Sequence, residues 1–190
     1  MSLATPYHIN KDQIDQEADL IRQAKEDPAR FGVLYKKYHE QIFLFVIRRV
    51  ESTDDAADIT SQVFLKAMLN LKKYQSQGVP FSAWLYRIAR NEIYDQNAKN
   101  KISLVLTIEK EGVMKMISEM EEEGNKEERY KELQHALSKL SEDELEIIEL
   151  RYFEEHSFKE VGDILNITEN NAKVKTYRIL EKLKKNYSNE

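Results

Sequence analysis

Apolar residues recur along this chain at intervals of three and four, the period of an amphipathic helix. Phe31, Leu34, Tyr35 and Tyr38 begin one stripe, which Ile42, Phe45, Val46 and Val50 continue. Glu51–Asp55 interrupts it and offers Ser and Thr as N-caps; Ile59, Val63, Phe64, Ala67 and Leu71 then mark a second helix. Gln75–Pro80, with its Gly and Pro, reads as a loop, and a third helix is expected from about Ser82 to Lys99. Between Lys101 and Glu128 the period weakens. Leu104, Val105, Leu106 and Ile108 are apolar, but Glu119, Glu121, Glu122 and Glu123 make an acidic cluster ahead of Gly124. That pattern fits an inter-domain linker with some helix, and equally a solvated helix face.

The last third is more sharply punctuated. Leu133, Ala136, Leu137 and Leu140 share a helical stripe. Ser141–Glu144 and Ser157–Glu160 both have the spacing of a capping box, in which a serine side chain and a glutamate three residues on satisfy each other's backbone amides. The second box opens a short helix with Val161, Ile164 and Leu165 inward. Asn166–Thr168 is a tight turn with Thr168 as N-cap, and a final helix runs from Glu169 to about Lys185. A short helix, a tight turn and a longer basic helix at this spacing form a helix-turn-helix. The expectation is an all-α chain of two small helical domains joined by a linker. A flexible segment occupies 1–16, the first domain 17–100, the linker 101–128 and the second domain 129–187.

Composition removes several classes of function. With no cysteine among 190 residues, disulfides, thiolate zinc sites and thiol catalysis are excluded. Five glycines and three prolines argue against a turn-rich β fold. No stretch reaches the roughly 18 apolar residues of a membrane span, and the polar Met1–Asp15 lacks the apolar run of a signal peptide. A cytoplasmic protein without membrane insertion is expected. His8, His39, His135 and His156 are scattered, and neither a phosphate-cradling glycine loop nor a nucleophile elbow is present. No catalytic residue, metal site or cofactor is therefore expected, and the chain does not read as an enzyme. Its net charge of −5 works against autonomous attraction to nucleic acid, so local charge has to decide.

At 100° per residue, Ala172, Thr176, Ile179, Leu180 and Leu183 fall on one side of the final helix and are its core face. The opposite side carries Asn170, Asn171, Val174, Tyr177 and Arg178, flanked by Lys173 and Lys175. Val and Tyr set outward among amides and cations suit a major groove, where Arg reads guanine, Asn reads adenine and apolar groups meet the thymine methyl. Lys182, Lys184 and Lys185 extend the cationic stripe toward the far end. In the third helix, Trp84, Leu85, Ile88, Ala89 and Ile93 share a face, with Tyr86, Arg87, Arg90, Tyr94 and Lys101 opposite. Cations interleaved with aromatics fit a surface that tracks a nucleic-acid strand; side chains snorkelling along a solvated helix fit equally well.

The residues also resemble a known family. Glu17–Arg22, Asp27–Phe31 and Leu34–Tyr38 are similar to the start of region two of bacterial sigma factors, and Ala57–Ala67 resembles its clamp-binding helix. Phe81–Asn91, with Asp95, resembles the helix that recognises the minus-ten promoter element. Leu140–Phe153 and Ser157–Lys184 resemble region four, which reads the minus-thirty-five element. The short linker, with no separate region three, resembles the extracytoplasmic-function group. Ser61 stands where the family usually has Gln, Asn97–Lys101 is less basic than the usual ending, and Asn171 replaces a common Thr. The resemblance implies a transcription initiation factor made of a region two bundle and a region four helix-turn-helix. Its partners would be core RNA polymerase, promoter DNA and an anti-sigma factor. Polymerase contacts would fall on Asp55, Asp58, Ile59, Gln62, Phe64 and Leu65. DNA contacts would fall on Tyr86, Arg87, Arg90, Asn91 and Tyr94, and on the final helix including Lys182. The Tyr74–Pro80 loop would hold a base flipped from the non-template strand. A stand-alone helix-turn-helix regulator and a protein-binding helical adaptor are the alternatives.

Overall fold

The computed structural model describes residues 11–76, 78–100, 116, 133 and 135–187, with the backbone alone for 11–15, 97–100, 186 and 187. The acidic cluster Glu119–Glu123 and Lys101 lie outside the described residues, as do the side chains of 97–100. Among the described residues the regular structure is helical throughout, and it falls into two compact units, residues 9–106 and residues 1–8 with 107–190.

In the first unit α1 (Lys11–Glu26) packs on α2 (Phe31–Ile47), which packs on α3 (Thr53–Asn70) and α4 (Phe81–Asn100). The amphipathic stripes form the core: Leu34, Ile42, Phe45 and Val46 of α2, Ala56, Val63 and Ala67 of α3, and Phe81, Leu85 and Ala89 of α4 are all buried. Ser52 caps α3 by accepting the Asp55 amide at 3.0 Å, so the break at Glu51–Asp55 becomes a helix start. α1 begins inside the segment 1–16 expected to be flexible. A hydrophobic pattern misses it because its buried residues, Ile21 and Ala24, share that face with a buried carboxylate, Glu17.

In the second unit α5 (Glu142–Ile148) runs into a π-turn at Glu149–Phe153, followed by α6 (Phe158–Leu165) and α7 (Glu169–Tyr187). Both serines at 141 and 157 form complete capping boxes with Glu144 and Glu160. The core joins Leu133, Ala136 and Leu137 to Ile147, Ile148 and Tyr152, and to Ile179, Leu180 and Leu183 of α7. Met116 lies in this same core, fully buried, although it belongs to the stretch expected to link the domains.

Candidate nucleic-acid interface

The second unit presents α7 from a tight turn whose geometry is fixed residue by residue. Asn166 ends α6 in the left-handed region (φ 56°, ψ 45°), a conformation asparagine tolerates well, and the Ile167 amide donates to the Gly162 carbonyl at 2.8 Å. Thr168 then accepts the Asn171 amide at 3.2 Å and starts α7. A β-carbon on Gly162 would come within 2.9 Å of the Ile167 carbonyl oxygen, so only glycine lets α6 approach the turn this closely. Ala172 and Thr176 are fully buried and Ile179, Leu180 and Leu183 nearly or completely so, which leaves Asn170, Asn171, Lys173, Val174, Lys175, Tyr177 and Arg178 exposed. Tyr177 does not project alone: its ring lies 6.0 Å from Phe158 at the start of α6, and the Arg151 guanidinium sits 4.8 Å over Phe158.

Electrostatics distinguish the two ends of α7. Lys182 donates to both oxygens of Glu144, at 2.9 and 2.6 Å, and so ties the helix to the capping box of α5. That bond, with those from Ser141, holds the Glu144 carboxyl below its usual value. Glu160 is desolvated by burial, which raises its pKa, but the His156 imidazole 3.8 Å away and the hydrogen bonds from Ser157 outweigh this, and its carboxyl also lies below the usual value.

In the first unit α3, the segment after it and α4 enclose a cleft of about 630 Å³. Lys66, Asn70, Lys73, Tyr74 and Gln75 form one wall, and Trp84, Arg87, Ile88, Asn91, Glu92 and Asp95 the other. Cations, amides and two aromatic rings therefore line one cavity, with Lys66 bridged to Glu92. Arg87 and Asn91 line the cleft, whereas Arg90, which stacks over Tyr94 at 4.8 Å, does not. Tyr86 is a correction. It is fully buried, edge-on to Phe45 at 4.6 Å, and its hydroxyl accepts from Gln41, so it offers no ring face to a base. The core face of α4 centres on Leu85, Tyr86, Ala89 and Ile93; the expected one was displaced because Ile88 and Trp84 are apolar and yet line the cleft. Lys66, Asn70, Lys73 and Trp84 were not expected in this site, since only the fold brings α3 opposite α4.

The outer side of α3 carries the remaining candidates. Asp58, Gln62 and Leu65 are exposed in one stripe with Leu69, which is 69% exposed. Asp55 is partly buried, hydrogen-bonded to Ser52. Ile59 and Phe64 are corrections: both are buried, Phe64 edge-on to Tyr35 at 4.8 Å, because the α3 stripe that looks apolar in sequence is the one facing α2. Among the described residues no cluster of His, Asp or Glu could hold a metal ion, and no helix is long and apolar enough to cross a membrane.

Comparison with known proteins places these surfaces in context. Residues 34–101 match the Sigma-70 region 2 family and residues 130–183 match Sigma-70, region 4. The ECF RNA polymerase sigma factor SigW of Bacillus subtilis is 30% identical over 175 residues, covering 87% of this chain and 93% of SigW. The ECF RNA polymerase sigma factor BldN of Streptomyces coelicolor is 28% identical over 172 residues, 87% of this chain but 63% of BldN's own length. Among solved structures, the sigma factor RpoE in complex with the anti-sigma factor NepR from Bartonella quintana has the same fold, with a TM-score of 0.55 and 20% identity over 84% of this chain and 98% of that one.

Proposed function

Since this chain belongs to the extracytoplasmic-function sigma factors of bacterial RNA polymerase, we propose that its two units divide promoter recognition between them. The protein is a promoter-specific initiation factor of RNA polymerase. The first unit opens and reads the minus-ten element: a base flipped from the non-template strand enters the cleft against Tyr74 and Trp84, while Arg87 and neighbouring cations meet phosphate. The second unit reads the minus-thirty-five duplex through Asn170, Asn171, Val174, Tyr177 and Arg178, with Lys173 and Lys175 on the backbone. Core polymerase docks on the exposed Asp58–Gln62–Leu65–Leu69 stripe of α3. The chemistry stays with the polymerase, and the factor works in the cytoplasm. By analogy with RpoE bound to NepR, an anti-sigma partner controls access to these surfaces.

The observation that carries this reading is the presence, on one chain, of an aromatic and cationic cleft large enough to admit a base and a helix-turn-helix with an exposed reading face. A stand-alone helix-turn-helix regulator has use for the second feature only. Binding selection from a promoter library, with and without core polymerase, tests it. Selection of two separated elements by the holoenzyme is the expected result. Selection of a single duplex element, unchanged when core is omitted, would return the protein to the stand-alone class.

A further inference from the structure

Helix α1 makes two polar contacts that bracket the segment running into the cleft. At one end Lys25 donates to the Tyr74 carbonyl at 2.6 Å and lies 5.9 Å from the centre of its ring. At the other end Glu17, 2% exposed, accepts the Phe81 amide at 2.7 Å, in the first turn of α4. That amide has no partner within its own helix, and a carboxylate there is favoured by the helix dipole. The other oxygen of Glu17 is fixed by Lys37 at 2.7 Å and by the Tyr38 hydroxyl, so the carboxylate cannot swing away from α4. Burial and the adjacent Glu17 charge raise the Tyr38 hydroxyl's pKa, which keeps it a donor.

Tyr74 and Phe81 are joined to Trp84 as an aromatic triad, with ring centres 4.8 to 5.4 Å apart. Tyr74 and Trp84 line the cleft, whereas Glu17 and Lys25 do not. Eight residues span about 12 Å along a helix, so one rigid element holds both ends of the segment at a set separation. Directional hydrogen bonds fix one arrangement where apolar packing alone would tolerate sliding. α1 also lies ahead of residue 34, where the family match begins.

We infer that Glu17 and Lys25 are positioning residues for base selection: α1 sets the aperture of the cleft by holding Tyr74 and Phe81. The inference rests on the reading of the cleft as a base site. Holoenzyme would be reconstituted with Lys25→Met, Lys25→Arg, Glu17→Gln and, as a test of the cleft itself, Trp84→Ala. Initiation is then measured over all single-base variants of both promoter elements. Lys25→Met and Glu17→Gln should reduce discrimination at one minus-ten position about threefold or more, against the roughly 5- to 150-fold that a single base position supplies. Lys25→Arg, which keeps the donor, should retain it. The minus-thirty-five profile and the affinity for core should not change. If Trp84→Ala flattens the minus-ten profile while Lys25→Met and Glu17→Gln leave it intact, the inference is overturned and the cleft reading stands. If Trp84→Ala has no effect, both are overturned. A uniform loss across both elements in step with a lowered melting temperature, without rescue by Lys25→Arg, marks ordinary core bonds and also overturns it.

Discussion

Arg178 and Lys182 lie one turn apart on α7, and their surroundings give them different work. Arg178 is exposed on the face opposite the buried Ala172–Leu183 stripe. Replacing it with alanine should cost about 1–3 kcal/mol on the preferred upstream element and flatten preference at one base position. Lys185→Ala should instead weaken every sequence alike and lower the salt slope by about one. Holoenzyme binding to single-base variants at several salt concentrations separates the two; a base-specific loss in Lys185→Ala but not in Arg178→Ala would mean the helix docks in another orientation. Lys182 was expected to serve phosphate, but it is held by Glu144 at 2.6 Å. Its removal should lower the stability of the second unit by no more than about 1 kcal/mol, the range for exposed pairs. The Glu144 carboxyl is held below its ordinary value only in the folded chain. The bridge therefore contributes fully above that ordinary value and is lost as the pH falls through the lowered one. Melting curves of the parent and Lys182→Ala should differ at neutral pH and converge in acid. A gap that persists in acid would show that Lys182 acts through packing of its stem instead.

At the level of elements, the close approach of α6 to the turn before α7 depends on Gly162. Gly162→Ala sets a methyl group 2.9 Å from a backbone oxygen, and overpacking of this kind costs about 1–3 kcal/mol. The second unit should melt earlier and lose its reading of the upstream element, while transcription that depends on the minus-ten element survives. Unchanged melting would mean the turn relaxes freely. This element was legible in sequence because its capping serines, turn and buried stripe are all local signals; all five core residues assigned to α7 are buried. α4 was less legible. Its helical extent was read to within a residue, but it has three neighbourhoods, a core side, a cleft side and the Arg90–Tyr94 side, where an amphipathic pattern distinguishes only two. Tyr86 buries a ring whose hydroxyl finds Gln41, and Ile88 lies in the cleft, so polarity misassigned both. Ile59 and Phe64 differ: the apolar stripe of α3 already marked them as inward, where both are buried, and only the family resemblance put polymerase on them. The π-turn at Glu149–Phe153 left no sequence signal, because its extra residue shifts the register without a Gly or Pro.

Across the whole molecule, the chain divides between residues 106 and 107, inside the stretch where the sequence pattern weakens. Met116 is completely buried among Leu133, Leu137, Ile148 and Leu183, so the second unit recruits a side chain from well ahead of residue 130, where its family match begins. Met116→Ala should cost about 2–5 kcal/mol in the second unit and leave melting of the first unchanged. A fragment of residues 107–190 should likewise outlast one of residues 129–190; equal stability would remove Met116 from the core. The charge of the molecule sets a further expectation. Its net −5 repels DNA at long range, whereas Lys173, Lys175 and Arg178 attract it only within about 8 Å, the Debye length at physiological salt. A free chain therefore gains little from steering and has one short reading face with which to hold duplex. In the proposed division of promoter recognition, core polymerase adds its own DNA contacts, both surfaces engage one promoter and the second engagement becomes effectively intramolecular. Promoter-specific retention by the free protein should be weak at physiological salt, and core polymerase should raise it by the 10²–10⁴-fold that such linkage supplies. Fluorescence anisotropy on matched specific and scrambled promoters, with and without core, measures both quantities. Tight, sequence-specific binding by the free chain that core fails to improve would show that the cationic face of α7 suffices alone, and the polymerase would then not be the element that unites the two units.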